Sequence, residues 1–149
     1  MEIMIISLRL NFHVCVIMQF ILLTKGKWLA GEPTEVALVE EAIINGKDKN
    51  VLDEKMKRVA EIPFDSEKKF MITVHKISTG YRVICKGAPE VVMKMCTECY
   101  NGGIREQLKI SQKNDVIANN TLMAENALRV LAIAYKDALS WALSMFVSW

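Results

Sequence analysis

Three strand-like runs in the middle of the chain follow one another with only short turns between them, and this spacing constrains the fold more than any other feature. The runs cover residues 59–64, 70–75 and 81–86, and they are rich in β-branched and aromatic residues. A charged turn, Asp65–Lys69, separates the first two, and residues 77–80 separate the last two. Because connections this short cannot make the crossover that parallel strands need, the runs predict an antiparallel meander.

A helix is predicted on either side of the meander. Upstream, Thr34 is a favourable N-cap and Gly46 is a natural stop, with a broad apolar stripe between them. Downstream, Gly87 breaks the third strand, and Pro89 suits the first position of a short helix that runs to Cys96. We therefore expect helices to pack against the sheet.

The second half of the chain adds a longer helical stretch and one further strand. Residues 105–127 predict a helix with a break at residues 119–121, and residues 127–135 predict a buried strand whose one charge is Arg129. A charge in so apolar a run needs a partner or an anion. With 149 residues the chain can bury one core. The predicted fold class is α+β, with an antiparallel sheet of about six strands flanked by helices.

Residues 3–23 form a strongly apolar run that has more than one interpretation. A membrane-spanning helix needs roughly 20 apolar residues with few charges, whereas this run contains Arg9, Asn11, His13 and Gln19. Its β-branched content fits one or two buried strands equally well. We expect a core strand or a poorly folded extension, and membrane insertion stays open as the alternative.

Charge and cysteine content narrow the class of protein. A formal net charge of +2, with scattered basic residues, is too small to indicate a nucleic-acid-binding protein. Four cysteines in a chain of this size do not make a disulfide framework, which favours a reducing, cytosol-facing setting. Cys96 and Cys99 form a single CxxC without the second pair or spaced histidines that zinc needs, so a structural role is expected for them.

The meander also brings together the residues best suited to hold a ligand. Phe64 precedes the charged turn that contains Lys68 and Lys69, and Lys86 opens the segment Lys-Gly-Ala-Pro-Glu that ends at Glu90. An aromatic ring stacks on a base with about 1–3 kcal/mol, and lysine is a mobile point charge for phosphate. The set predicts binding of a purine ring and a polyphosphate.

Each of these residues has a purely structural interpretation as well. The structural roles are a core residue for Phe64, a solvated hairpin tip for Lys68, ion-pair partners of Glu90 or Glu35 for Lys86 and Arg129, and a helix-dipole residue for Glu35.

Four blocks of sequence carry a family resemblance. They are Gly31–Leu38, Ile62–Lys69, Lys86–Glu90 and Ala127–Ala132, and in this order they frame residues 31–136. At these spacings they resemble the nucleotide-binding domain of P-type cation-transporting ATPases, in the type II branch that includes calcium pumps. In that family the domain is inserted in the cytosolic catalytic part and holds ATP for the neighbouring phosphorylation domain.

The resemblance implies how the adenine would be held. Phe64 would stack on the base, and Lys86 would line the pocket floor beside the purine. Glu35 would face the adenine amino edge, for which a carboxylate is the natural acceptor. Met71 would form an apolar wall.

The resemblance also implies how the rest of the ligand would be held. Lys69 would lie near the nucleotide, Gly87 belongs to the nucleotide-binding set, and Arg129 would meet the phosphates, to which arginine offers a planar fork. ATP is the expected ligand, and Mg²⁺ is expected only as its counter-ion.

Several motifs of such pumps are missing from this sequence. The phosphorylation loop Asp-Lys-Thr-Gly-Thr is absent, since residues 48–50 read Asp-Lys-Asn, and so are the magnesium motifs and the membrane helices. We therefore expect ATP binding without phosphoryl transfer, on the cytosolic face. Residues 31–137 are expected to form the nucleotide-binding domain of a severed piece of a pump, with atypical apolar segments at residues 1–30 and 138–149.

Two alternatives to a nucleotide-binding fragment stay open. In one, the chain is a truncated remnant or interaction fragment that does not bind nucleotide. In the other, it is a small membrane-anchored protein held through residues 3–23. If the chain is a nucleotide-binding fragment, its expected protein partner is the phosphorylation domain of the parent pump.

Overall fold

The fold is an antiparallel sheet with helices, seen in a computed structural model that describes residues 5–10, 14–20, 33–101, 104–126 and 129–140. Within these ranges there are eight strands and four helices. The strands are β1 (Ile5–Leu10), β2 (Val14–Phe20), β3 (Arg58–Asp65), β4 (Phe70–Ile77), β5 (Gly80–Gly87), β6 (Glu98–Asn101), β7 (Ile104–Gln107) and β8 (Val130–Ala138). The helices are α1 (Pro33–Ile44), α2 (Lys49–Lys55), α3 (Pro89–Met95) and α4 (Ile110–Glu125).

The sheet has the strand order β3-β4-β5-β8-β2-β1-β6-β7, and its neighbours pair antiparallel. The α+β class and the meander β3-β4-β5 are confirmed. The described sheet has eight strands rather than about six, because the N-terminal segment supplies β1 and β2 between β8 and β6.

The apolar run over residues 3–23 thus contains two strands, as one of its interpretations had it, and a helix spanning this run is not what the structure shows. Among the described residues, no helix is long and apolar enough to cross a membrane.

One face of the sheet carries the core. Ile72, Cys85 and Ala134 lie opposite one another on β4, β5 and β8, and all three are buried. Val92 and Met93 of α3 and Val116 of α4 pack into this core. Burying an aliphatic side chain of this size contributes roughly 1.5–3 kcal/mol, so the helices are held mainly by this apolar contact.

The buried charged residue of β8 is Lys136 and not Arg129. Arg129 is exposed and lies just before the strand, so the prediction of a charge inside a buried strand at that position was wrong. Lys136, near the other end of β8, has only 6% of its surface exposed. Its side chain lies on the same face of the strand as the buried core residues Ala132 and Ala134, and burial lowers the pKa of its ammonium group.

The predicted break at residues 119–121 was also wrong, since α4 is continuous through them. The hydroxyl of Thr121 donates a hydrogen bond of 3.1 Å to the carbonyl oxygen of Ile117, so its polar side chain is satisfied within the helix. The predicted start at residue 105 was early, because β7 occupies residues 104–107.

Helix α1 ends where the sequence predicted and begins two positions earlier. Gly46 takes a φ of 67°, and its N–H donates to the carbonyl of Ile43 at 2.9 Å, which closes the helix end. The helix starts at Pro33, so Thr34 lies inside it and is not the N-cap. Proline already has the backbone angle of a first turn, which explains the earlier start.

The burial of Cys85 gives a test of this fold. Burial raises the pKa of its thiol to about 12, so little of the nucleophilic thiolate exists near neutral pH. We expect iodoacetamide to alkylate Cys85 about a hundredfold or more slowly in the native chain than in guanidinium chloride. Peptide mass spectrometry gives the two rates, and equal rates would contradict the packing of β5 in the core.

Candidate functional site

The turn between β3 and β4 is fixed by its own hydrogen bonds. The carboxylate of Asp65 accepts the backbone N–H groups of Glu67 and Lys68 at 2.8 and 3.0 Å. These two bonds lower the pKa of the Asp65 carboxyl, because they favour its charged form. The N–H of Lys69 donates to the carbonyl oxygen of Asp65 at 2.6 Å, which closes the turn. Lys68 is exposed at the tip, as predicted.

Phe64 lies directly before this turn with its ring in solvent. The side chain is 61% exposed, so the interpretation of Phe64 as a core residue was wrong. The pairing of β3 with β4 is irregular between Ile62 and Asp65, and Pro63 in that interval has no N–H to donate. The edge strand therefore holds the aromatic ring outside the core. The hydrophobicity of the ring alone would favour a buried position.

Lys69 takes a backbone conformation that a lysine rarely adopts. Its φ is 61°, in the left-handed region, which costs a residue other than glycine about 1–3 kcal/mol. Its carbonyl oxygen accepts the N–H of Ala88 at 2.9 Å. Its ammonium Nζ lies 3.4 Å from Oε1 of Glu90. The backbone of the charged turn is thereby joined to the segment that follows β5.

Gly87 is the residue that allows this close approach. A Cβ at this position would lie 2.5 Å from the carbonyl oxygen of Lys69 and 2.6 Å from the Cβ of Phe70. No real Cβ tolerates such distances from backbone atoms, so only glycine fits without a shift. Gly87 thus supports the site through its backbone.

Met71 and Lys86 share one face of the sheet. They pair directly across β4 and β5, and Lys86 pairs in turn with Ile133 on β8. Directly opposed residues of antiparallel strands lie on the same face, so the three half-buried side chains form a continuous row. This row lies on the face opposite to Cys85 and the core.

Ile133 is the member of this row that sequence reasoning missed. The apolar run of residues 127–135 predicted its strand, but the row depends on the register of β8 against β5, which no local pattern encodes. In the structure, Val130 and Ala132 are buried and Ile133 lies on the opposite face of the strand. The alternation of side chains along any strand was the one signal from which this face could have been predicted.

The far end of the same face is already occupied by an ion pair. The Nε and Nη2 atoms of Arg82 donate to the two carboxylate oxygens of Asp137 at 2.7 and 2.8 Å. The guanidinium also lies 4.2 Å from the centroid of the Tyr135 ring. The charges of Arg82 and Asp137 therefore balance each other at this end of the face.

Two other predicted site residues are only partly placed. Gly87 pairs with Ala132, so Arg129, three residues earlier, lies toward the same end of the sheet as Gly87 and is exposed. Glu35 lies in the first turn of α1, and its side chain is outside the described part of the structure. The suggested ion pair of Glu90 with Lys86 or Arg129 is replaced by one with Lys69.

Chemically, the arrangement offers a binding surface. The exposed ring of Phe64, the row of Met71 and Lys86, and the cation of Lys69 lie toward one end of the sheet. Cys96 and Cys99 contribute to the core, and the thiol of Cys96 donates to the carbonyl oxygen of Val92 at 3.1 Å. Within the described ranges no group of three or more histidine, cysteine, aspartate or glutamate residues could hold a metal ion.

Comparison with known proteins gives consistent matches. A family model described as P-type ATPase, cytoplasmic domain N matches residues 19–144. Calcium-transporting ATPase 1 of Bacillus cereus is 36% identical over 107 residues, which cover 72% of this chain and 12% of that protein. Calcium-transporting ATPase 1 of Lactococcus lactis is 38% identical over 108 residues, with the same two coverages.

A plant protein matches at a similar level. Calcium-transporting ATPase 4, plasma membrane-type, of Arabidopsis thaliana is 34% identical over 115 residues, or 73% of this chain and 11% of that protein. The chain thus spans about 12% of the length of the curated relatives it matches.

The close approach at Gly87 predicts that Gly87→Ala destabilises the fold locally at the site. A new Cβ must displace the backbone of Lys69, and overpacking of this kind costs about 1–3 kcal/mol in the free energy of unfolding. Chemical denaturation measures that loss, and amide chemical shifts of Lys69 and Phe70 should move.

Gly46→Ala is the control, because a Cβ there meets nothing within 4 Å and only the positive φ is strained. It should lower stability without shifting the amides of Lys69 and Phe70. Unchanged stability and unchanged shifts in Gly87→Ala would contradict the close approach.

Proposed function

The chain belongs to the P-type ATPases, as their cytoplasmic N domain, and from this premise we propose that it binds ATP at the end of the sheet marked by Phe64 and Lys86. The nucleotide is the ligand, and Mg²⁺ accompanies it only as the counter-ion of the phosphates. No phosphoryl transfer by the chain itself is part of the proposal.

The exposure of Phe64 is the observation that carries the proposal. An aromatic side chain buried in the core would gain about 1.5–3 kcal/mol, yet here 61% of it faces solvent. Stacking on a purine offers a comparable gain of about 1–3 kcal/mol, and any base can supply it. The exposed ring therefore favours a nucleotide-binding domain over a remnant that does not bind.

The neighbouring side chains suit the two ends of the ligand. Met71, Lys86 and Ile133 form a row that can support the base from the sheet face. Lys69 and Arg129 lie toward the same end and bring positive charge for the phosphates. We propose the same role for Glu35 as the resemblance implies, namely acceptance of the adenine amino group.

The affinity should be weak. The ring and the row are exposed or half-buried, and association must overcome the loss of translational and rotational freedom. We expect a Kd on the order of tens of micromolar to millimolar, equivalent to roughly −4 to −6 kcal/mol.

The function of the parent protein follows only as a further part of the proposal. The matched relatives are named as calcium-transporting ATPases, so we infer that the domain serves a cation pump on the cytoplasmic face. Its partner there would be the phosphorylation domain, to which it presents the nucleotide.

Phe64→Ala is expected to remove most of the nucleotide affinity and leave the fold intact. Loss of about 1–3 kcal/mol of stacking weakens binding roughly 5- to 150-fold. An ATP titration followed by amide chemical shifts measures both affinity and folding.

Val59→Ala is the matched control, because Val59 is also an exposed apolar residue at an irregularity in the pairing of β3. It should bind ATP like the unmodified chain. Normal binding by Phe64→Ala, or its unfolding, would contradict the assignment.

The isolated chain is expected not to release phosphate from ATP. Residues 48–50 read Asp-Lys-Asn where the phosphorylation loop would need Asp-Lys-Thr, so no aspartate in that motif can accept the γ-phosphate. Incubation with γ-labelled ATP and Mg²⁺ should give neither free phosphate nor acid-stable label on the protein. Hydrolysis that disappears in Phe64→Ala would contradict this expectation.

A further inference from the structure

Glu90 lies beside the cation that the proposed site offers to the phosphates. Its Oε1 atom is 3.4 Å from the Nζ atom of Lys69, although the two residues are 21 positions apart in the chain. We propose that Glu90 is a positioning residue that holds Lys69 and limits how strongly the site prefers phosphorylated nucleotides over adenosine. This inference rests on the proposed function.

The backbone fixes the two partners at this distance. The carbonyl oxygen of Lys69 accepts the N–H of Ala88 at 2.9 Å, and Glu90 follows two positions later in the first turn of α3. Gly87 allows the two segments to touch, and the left-handed φ of Lys69 sets the direction in which its side chain leaves the turn. The ion pair is therefore a product of tertiary structure that neither sequence block contains by itself.

The exposure of both partners makes the pair exchangeable. The side chains are 56% and 40% exposed, and an ion pair in solvent contributes little to stability. A phosphate oxygen that approaches Lys69 must compete with the Glu90 carboxylate for the ammonium. Adenosine carries no phosphate, so its binding at the row of Met71 and Lys86 does not meet this competition.

The test compares the full chain with Glu90→Gln, which keeps the size of the side chain and removes its charge. Kd values for ATP and for adenosine are measured at one ionic strength, because exposed charges are screened by salt. The affinity for ATP should rise about twofold to fivefold, the range for one exposed ion pair, and the affinity for adenosine should stay the same.

Two further variants separate positioning from a general effect of charge. Glu67→Gln removes a carboxylate from the same turn as Lys69. Glu67 is exposed, and within the described ranges its side chain forms no ion pair, so this change should alter the affinity for ATP less. In a Lys69→Ala background, the gain from Glu90→Gln should vanish if Glu90 acts by holding Lys69. Thermal denaturation checks that Tm is nearly unchanged in each variant.

The outcomes are distinct. A gain for ATP alone that needs Lys69 supports the proposal. Unchanged or weaker ATP binding by Glu90→Gln, an equal gain with Glu67→Gln, or a gain that persists in Lys69→Ala overturns it while leaving the proposed function in place. Failure of the unmodified chain to bind ATP would overturn both.

Discussion

The site depends on one backbone hydrogen bond, from the N–H of Ala88 to the carbonyl oxygen of Lys69. This bond joins the turn after β3 to the segment after β5, and it forms only because Gly87 has no side chain between them. An exposed side-chain contact of the same length would contribute little to stability. A backbone contact, in contrast, fixes the positions from which the neighbouring side chains extend. The ammonium of Lys69 and the carboxylate of Glu90 owe their proximity to this contact.

Local features of the fold could be predicted because they depend on neighbours in sequence. The short turns dictated the meander, and Gly46 gave the end of α1. The errors at residues 119–121 and at Thr34 arose because the intrinsic preferences of these residues are weaker than the interactions of the helix around them. A hydroxyl can bond back within a helix, and a proline can begin one.

Features that depend on distant pairing could not be predicted. The insertion of β1 and β2 between β8 and β6 leaves no local signal, and the same is true of the register that aligns Ile133 with Lys86. The resemblance named Phe64 and Lys69 as site residues. It could not give the left-handed backbone of Lys69 or its ion pair with Glu90, since both follow from tertiary contacts.

The position of β8 in the sheet has a consequence for how the chain folds. β8 lies between β5 and β2, so it connects strands that are far from it in sequence on both sides. During synthesis, the meander can assemble as soon as it leaves the ribosome, but the sheet stays in two parts until residue 138 has emerged. Such high contact order favours slow folding, and the unpaired edges of β5 and β2 are exposed to aggregation in the interval.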